Sequence, residues 1–126
     1  MRKQYFFIPS APGFNAWDVD KLVESTRNFP VRSIPLSDIA ELDENFWYNG
    51  EKDIPTVRSL VEHMQLVQET DLEYPIILSS SGRVMDGMHR VAKALMQGQK
   101  EIRAVRFEVD PLPDFRHVFP DDLSYD

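Results

Sequence analysis

The chain contains no cysteine at any of its 126 positions. A protein without thiols forms no disulfide bonds and offers no thiolate ligand to a metal. It also has no thiol nucleophile, so the sequence excludes every cysteine-dependent activity. The length predicts a single domain that is large enough to bury a hydrophobic core.

Long apolar runs are also missing. The apolar run near the N-terminus extends from Tyr5 to Ile8 and stops at Pro9, so it is too short for a signal peptide or a membrane span. We therefore expect a cytoplasmic protein with no membrane partner.

Positive charge is scarce, because 14 Lys and Arg stand against 21 Asp and Glu, for a formal net charge of −7. This balance argues against nucleic-acid binding through bulk charge. The charge is uneven: residues 34–75 hold two basic and ten acidic side chains, whereas residues 76–109 hold six basic and three acidic ones. Solvated faces explain this distribution, and an anion site within residues 76–109 is the alternative.

The hydrophobic pattern predicts an α+β fold, with three main helices around a small mixed sheet. Apolar residues at helical spacing predict helices over residues 18–28, 56–68 and 88–97. Strands are predicted over residues 31–36, 74–79, 83–86 and 102–109, and the middle two are expected to form a hairpin.

The two ends of the chain carry turn-forming residues. Pro9, Pro12 and Gly13 predict an irregular arm over the first fifteen residues, and the last segment contains three prolines and five aspartates. We therefore divide the chain into an N-terminal arm and helix (residues 1–30), a central domain (residues 31–109) and an acidic, proline-rich tail (residues 110–126).

The second helix and the segment before it contain many apolar side chains. The helix is predicted to present an apolar stripe formed by Val57, Leu60, Val61, Met64 and Val67. Three adjacent aromatic residues, Phe46, Trp47 and Tyr48, lie in the preceding acidic segment. They either fold back onto the core or form a stacking surface.

The stretch from residue 83 to residue 90 is the most informative motif. A strand is predicted to end at Asp86 and a helix to begin after Gly87, so free backbone N–H groups and the helix dipole favour an anion there. His89 and Arg90 fall in the first turn, where both can donate to a phosphate. In the alternative, Arg90 pairs with Asp86 or with the acidic loop, and His89 is a surface residue.

The second helix offers further candidates. Thr56, Ser59 and His63 share one face, which either completes a phosphate pocket or faces solvent. The three histidines of the chain do not have the spacing of metal ligands, so we predict no protein-held metal site.

Taken in order, these motifs resemble the ParB/sulfiredoxin-like superfamily. This superfamily includes the N-terminal domain of chromosome-partition ParB proteins, sulfiredoxin and the archaeal free-serine kinase. The resemblance covers about residues 31–109, starts at Ile34-Pro35-Leu36-Ser37 and is closest in the Asp-Gly-x-His-Arg element of residues 86–90.

The resemblance implies a nucleotide-binding fold. In its terms His89 and Arg90 hold the phosphates of a nucleotide such as ATP, ADP or CTP, and Gly87 and Met88 provide the backbone approach. On the preceding helix, Ser59 matches a polar position of the sulfiredoxin pattern. Thr56 and His63 match that pattern in position but not in residue type.

Two departures from the family narrow the function. Sulfiredoxin has a reactive cysteine directly before its His-Arg pair, and Met88 stands there in this chain, so reduction of sulfinic acids is excluded. ParB proteins carry a Gly-Glu-Arg-Arg motif, which this sequence lacks, and a following helix-turn-helix domain, which its pattern does not predict. We therefore do not expect partition-type operator binding.

Three functions remain open. The first is a nucleotide-dependent phosphotransferase or nucleotide hydrolase that uses Mg²⁺, in which Asp86 binds the metal or orients His89 and one of Glu41, Asp43 and Glu44 is the base. The second is a non-catalytic, nucleotide-responsive module that binds a small molecule or a protein. The third is a ParB-like protein that associates with nucleic acid. Each of these carboxylates also has a purely structural alternative, as a turn cap or a solvated side chain. Whether the protein forms a homodimer stays an open question at this point.

Overall fold

The computed structural model describes residues 3–48, 50–51 and 53–126. Met1 and Arg2 of the predicted arm, and Asn49 and Lys52 of the acidic segment, lie outside the described residues. The elements are β1 (Tyr5–Pro9), β2 (Phe14–Asp18), α1 (Val19–Ser25), β3 (Arg32–Pro35), α2 (Val57–Glu69), β4 (Ile76–Leu78), β5 (Val84–Asp86), α3 (Met88–Met96), β6 (Glu101–Arg106) and β7 (Phe115–Val118). The predicted α+β class with three helices is confirmed.

The strands form two sheets. The four-stranded sheet has the order β3-β6-β4-β5, in which β4 runs parallel to β6 and antiparallel to β5. It is the predicted mixed sheet, and β4 with β5 is the predicted hairpin. Strand β3 lies at an edge and ends at Pro35, because proline has no N–H to donate to a neighbouring strand.

The predictions for the two ends of the chain are wrong. The predicted arm forms β1 and β2, and the predicted tail contributes β7, which pairs with β2 in an antiparallel three-stranded sheet. The indole N–H of Trp17 donates to the carbonyl of Pro111 at 2.9 Å, across 94 positions of the chain. Local sequence patterns could not reveal this sheet, because its strands pair across nearly the whole sequence.

The four-stranded sheet separates two hydrophobic cores. The first core lies on the side of α3 and contains Leu36, Ile39, Ile76, Leu78, Val84, Met88, Val91, Ala94, Ile102 and Ala104. The second core lies on the side of α1 and the three-stranded sheet and contains Trp17, Leu22, Ile77, Met85, Val105 and Phe107. Successive residues of β4 and β6 alternate between the two cores, as side chains on a strand must.

The apolar stripe of α2 lies mostly on the surface rather than in a core. Val57 is 80% exposed and Met64 is 57% exposed, whereas Val67 is buried. The side of α2 that turns toward the protein carries Ser59 and His63, which are half-buried. The hydrophobic pattern therefore predicted the helix correctly. The side of α2 that packs on the protein, however, is largely polar.

The C-terminal segment is attached to the start of α1. Asp18 caps α1 by accepting from the backbone N–H of Asp20 at 3.0 Å. The backbone N–H of Asp18 donates to Oδ2 of Asp114 at 2.8 Å, and Nζ of Lys21 lies 3.4 Å from Oδ1 of the same carboxylate.

Within the described residues, no helix combines the length and the apolarity needed to cross a bilayer.

Replacement of Asp114 by alanine tests whether this segment is docked. We expect Asp114→Ala to lower the free energy of unfolding by about 1 to 2 kcal/mol, because it removes the acceptor of a partly buried amide. Asp121→Ala is the control, since Asp121 is an exposed acid of the same segment, and it should change stability by less than about 0.5 kcal/mol. Urea unfolding measures both, and equal effects would contradict the docking.

Candidate functional site

Helix α3 begins without a side-chain cap. Its first residue follows Gly87, which has a left-handed backbone with φ of 105° and cannot supply a capping side chain. The first helical hydrogen bond runs from the N–H of Val91 to the carbonyl of Gly87 at 3.0 Å. The preceding amides of the first turn therefore remain outside the helical ladder, as predicted for an anion site.

The space beside Gly87 is filled by the protein itself. A Cβ atom on Gly87 would lie 2.7 Å from Nη2 of Arg90 and 2.7 Å from Cγ2 of Ile76. Sequence analysis assigned this glycine to the approach of a ligand. The structure assigns the closest approach to the Arg90 guanidinium, so the glycine is required by a neighbouring side chain.

Arg90 pairs with Asp86, as in the alternative that the sequence left open for it. Its Nη2 donates to Oδ2 of Asp86 at 3.1 Å and to the carbonyl of Pro75 at 3.4 Å. Its Nε is buried and has no hydrogen-bond partner. Both side chains of the ion pair are only 16% exposed, so the positive charge of Arg90 is largely neutralised in place.

His89 contacts a different set of side chains. Its Nε2 lies 2.8 Å from Nδ1 of His63, so one imidazole donates a hydrogen bond to the other. The indole of Trp47 stacks on both rings, with centroid distances of 4.3 Å to His63 and 5.1 Å to His89. The hydroxyls of Tyr48 and Ser59 lie 2.8 Å apart beside them. We call these five residues the histidine cluster.

The histidine cluster is held in a neutral form. Burial, together with the neighbouring His63 and Arg90, lowers the pKa of His89 to about 4. Burial also lowers the pKa of His63. Near neutral pH both imidazoles are therefore uncharged. They share one hydrogen bond and add no positive charge to the start of α3.

The acidic residues predicted as catalytic bases lie at the other end of β5. Arg83, just before β5, donates to both carboxylate oxygens of Glu44 at 3.1 and 2.6 Å, and this bond holds the pKa of Glu44 below its usual value. Glu41 is buried and accepts from the backbone N–H of Val84. Strand β5 separates these carboxylates from Gly87 by roughly 10 Å, at about 3.3 Å per residue.

A magnesium site is not assembled from these residues. Asp86 is engaged by Arg90, Glu41 and Glu44 are engaged at the start of β5, and Asp43 is exposed. In the part of the chain that the structure describes, no group of three histidine or carboxylate side chains is placed to hold a metal ion.

The structure brings together only part of the predicted site. Ser59, His63 and His89 meet in the histidine cluster, whereas Thr56 caps α2 by accepting from the N–H of Ser59 at 3.1 Å. The side chain of Met88 is buried in the first core, so only its backbone is available. Trp47 and Tyr48 were not among the predicted site residues.

One sequence signal for these two aromatic residues did exist. Trp47 and Tyr48 belong to an aromatic triplet in an acidic segment, which indicated either core packing or stacking. The structure shows that Trp47 does both, because it stacks on the imidazoles and also packs against the first core.

Comparison of this chain with protein-family models, with curated proteins and with solved structures finds no match.

Substitution of Gly87 tests the packing at the start of α3. We expect Gly87→Ala to lower the free energy of unfolding by about 2 to 4 kcal/mol, because it adds a clash to the strain of a positive φ. Gly98→Ala is the matched control, since Gly98 also has a positive φ of 73° but has no atom within 4 Å of its Cβ position. It should cost about 1 kcal/mol. Equal losses in urea unfolding would show that the Arg90 contact does not constrain residue 87.

The depressed pKa of His89 predicts a loss of stability in acid. Its pKa is about 4 in the folded chain against 6.5 for the free side chain. The unfolded chain therefore binds more protons between these values, and stability falls as the pH drops from about 6.5 to about 4. Urea midpoints near pH 7 and near pH 5 measure this loss, and it should be smaller in His89→Gln. An unchanged pH dependence in that variant would contradict the assignment.

Proposed function

We propose that this chain is a ParB/sulfiredoxin-like protein that binds a phosphorylated ligand at the start of α3, with ATP, ADP and CTP as the leading candidates. One observation carries the proposal. The first turn of α3 has no side-chain cap and no acidic residue, and it lies beside two imidazoles that are shielded by Trp47.

The proposed site attracts an anion through dipoles rather than through net charge. The amides of the first turn and the helix dipole favour negative charge at this end of α3. The Asp86–Arg90 pair and the neutral imidazoles add little positive charge at neutral pH. A bound phosphate would raise the pKa of His89, because a nearby negative charge favours the imidazolium. Binding is therefore expected to take up a proton when the pH lies between the pKa of His89 in the free protein and its pKa in the complex.

Binding without chemistry is the form of the proposal that the geometry supports best. A phosphoryl transfer enzyme needs a carboxylate free to orient its acceptor. Asp86, Glu41 and Glu44 are each engaged by an arginine or a backbone amide. The fourth candidate, Asp43, is exposed just before Glu44, at the end of β5 away from the start of α3. A phosphotransferase or nucleotide hydrolase therefore stays a second form of the same proposal.

The second candidate function is an interaction module that responds to the ligand. The exposed apolar stripe of α2 favours it, because Val57, Leu60, Val61 and Met64 are each at least 42% exposed. The adjoining, half-buried side of the same helix contributes His63 to the proposed phosphate site. A ligand that moves His63 would therefore move the apolar stripe as well. The net charge of −7 disfavours the third candidate, an association with nucleic acid.

Isothermal titration calorimetry tests the proposal. Wild-type protein is titrated with ATP, ADP, CTP and GTP, with and without Mg²⁺, in buffers of different ionisation enthalpy. We expect saturable binding with proton uptake, and about tenfold or greater weakening in His89→Gln, the size of a lost hydrogen bond to a charged group.

His117→Asn is the control variant. His117 lies in β7 with a positive φ of 55°, a conformation that asparagine tolerates, so nucleotide binding should be unchanged. Absence of binding to any of the four nucleotides would refute the proposal. If His89→Gln binds a nucleotide as tightly as the wild type, the ligand does not bind at the start of α3. Release of inorganic phosphate from a bound nucleotide would separate a hydrolase from a binding module.

A further inference from the structure

A cleft lies on the opposite side of the four-stranded sheet from the histidine cluster. It has a volume of about 310 Å³ and is located between α1 and the sheet. Its apolar wall is formed by Val23, Phe29, Val31, Tyr74, Ile77 and Val105. Ile77 and Val105 belong to the second core, whereas Trp47 packs against the first, so the two sites are separated by the sheet.

The wall of this cleft is incompletely covered by the protein. Val23 is 49% exposed, Val31 is 43% exposed and Tyr74 is 66% exposed, although all three face a common space. Aromatic and branched aliphatic side chains around such a volume are typical of a small-molecule site. An apolar ligand of one ring or one short chain would complete the packing that the fold leaves open.

The guanidinium N–H groups of the cleft favour an anionic ligand through hydrogen bonds rather than through net charge. Arg27 and Arg90 line the cleft together with Asp86, whose carboxylate already compensates the charge of Arg90. Arg27 also pairs with the exposed Glu24 at the rim. Among the described residues, the hydrogen bonds of Arg90 to Asp86 and Pro75 both leave from Nη2, which leaves Nη1 without a protein acceptor. Its buried Nε is out of reach of a ligand in the cleft. A guanidinium has five N–H donors in one plane, so Arg90 retains the capacity to bind a further acceptor.

We propose that the cleft binds a small monocarboxylate that carries an aromatic ring or a short alkyl chain. The carboxylate hydrogen-bonds to Arg90 in the plane of the guanidinium, as arginine and carboxylate groups commonly do. The apolar body of the ligand lies against Val23, Phe29 and Ile77. Asp86 disfavours a phosphate dianion here, because its negative charge repels a doubly charged ligand more strongly than a singly charged one.

This site binds its ligand through other groups than the phosphate site proposed at the start of α3. It uses the side chain of Arg90 and the wall of α1, and it uses no residue of the histidine cluster. Failure of every nucleotide to bind would therefore not count against the site in the cleft. Likewise, a carboxylate that fails to bind leaves the phosphate proposal intact.

Methyl NMR spectroscopy of the full chain provides the test, with phenylacetate and hexanoate as probes. We expect saturable shifts of the methyl signals of Val23, Ile77 and Val105 as each probe is raised to about 10 mM, a range that detects millimolar dissociation constants. Phenylacetamide has the same ring without the charge, and it should bind at least about tenfold more weakly. Absence of shifts, or equal binding of phenylacetamide, would overturn the proposal.

Two variants locate the ligand within the cleft. Arg90→Gln should abolish carboxylate binding. Arg103→Gln is the control, because Arg103 is an arginine of β6 that donates to the carbonyl of Glu73 and does not line the cleft. Since Arg90 also packs inside the fold, Val23→Glu provides a second test at an exposed wall position, where a like charge should repel the carboxylate. Wild-type affinity in either Arg90→Gln or Val23→Glu would refute the site.

Discussion

The guanidinium of Arg90 holds together the end of the sheet on which both proposed sites depend. It donates to Asp86 at the end of β5 and to the carbonyl of Pro75 just before β4. It also occupies the space beside Gly87 that any larger residue would fill. One side chain of α3 thereby connects the two strands of the hairpin to the turn that starts the helix. This contact therefore constrains the start of α3, where His89 lies.

The start of α3 carries less net positive charge than its sequence indicates. Two basic side chains at a helix N-terminus oppose the helix dipole, and the sequence left open whether an anion or a pairing with Asp86 compensates them. In the fold, Asp86 compensates Arg90, and burial keeps His89 uncharged. The helix start is thus tolerated without a ligand. What remains for an anion is the row of uncapped backbone amides, so the phosphate proposal depends on the main chain.

Helix α2 shows why an amphipathic pattern does not by itself determine which side is buried. Its apolar residues recur at helical spacing, yet the half-buried side carries Ser59 and His63. These polar groups find partners there, since Tyr48 bonds to Ser59 and His89 bonds to His63. Satisfied hydrogen bonds remove most of the penalty of burying them. The same arrangement leaves Val57 and Met64 at the surface and places a polar cluster between the two helices.

Local chemistry in the sequence determined much of this protein. It predicted the three helices, the β4–β5 hairpin and the strand–glycine–helix turn at Gly87, because each depends on neighbouring residues. Only the tertiary structure decided the pairings across long sequence separations. These include β7 against β2, Trp47 over the imidazoles, and Arg83 with Glu44 at the far end of β5. No local pattern encodes such contacts, since each depends on where two distant segments are brought by the packing of the sheet between its two cores.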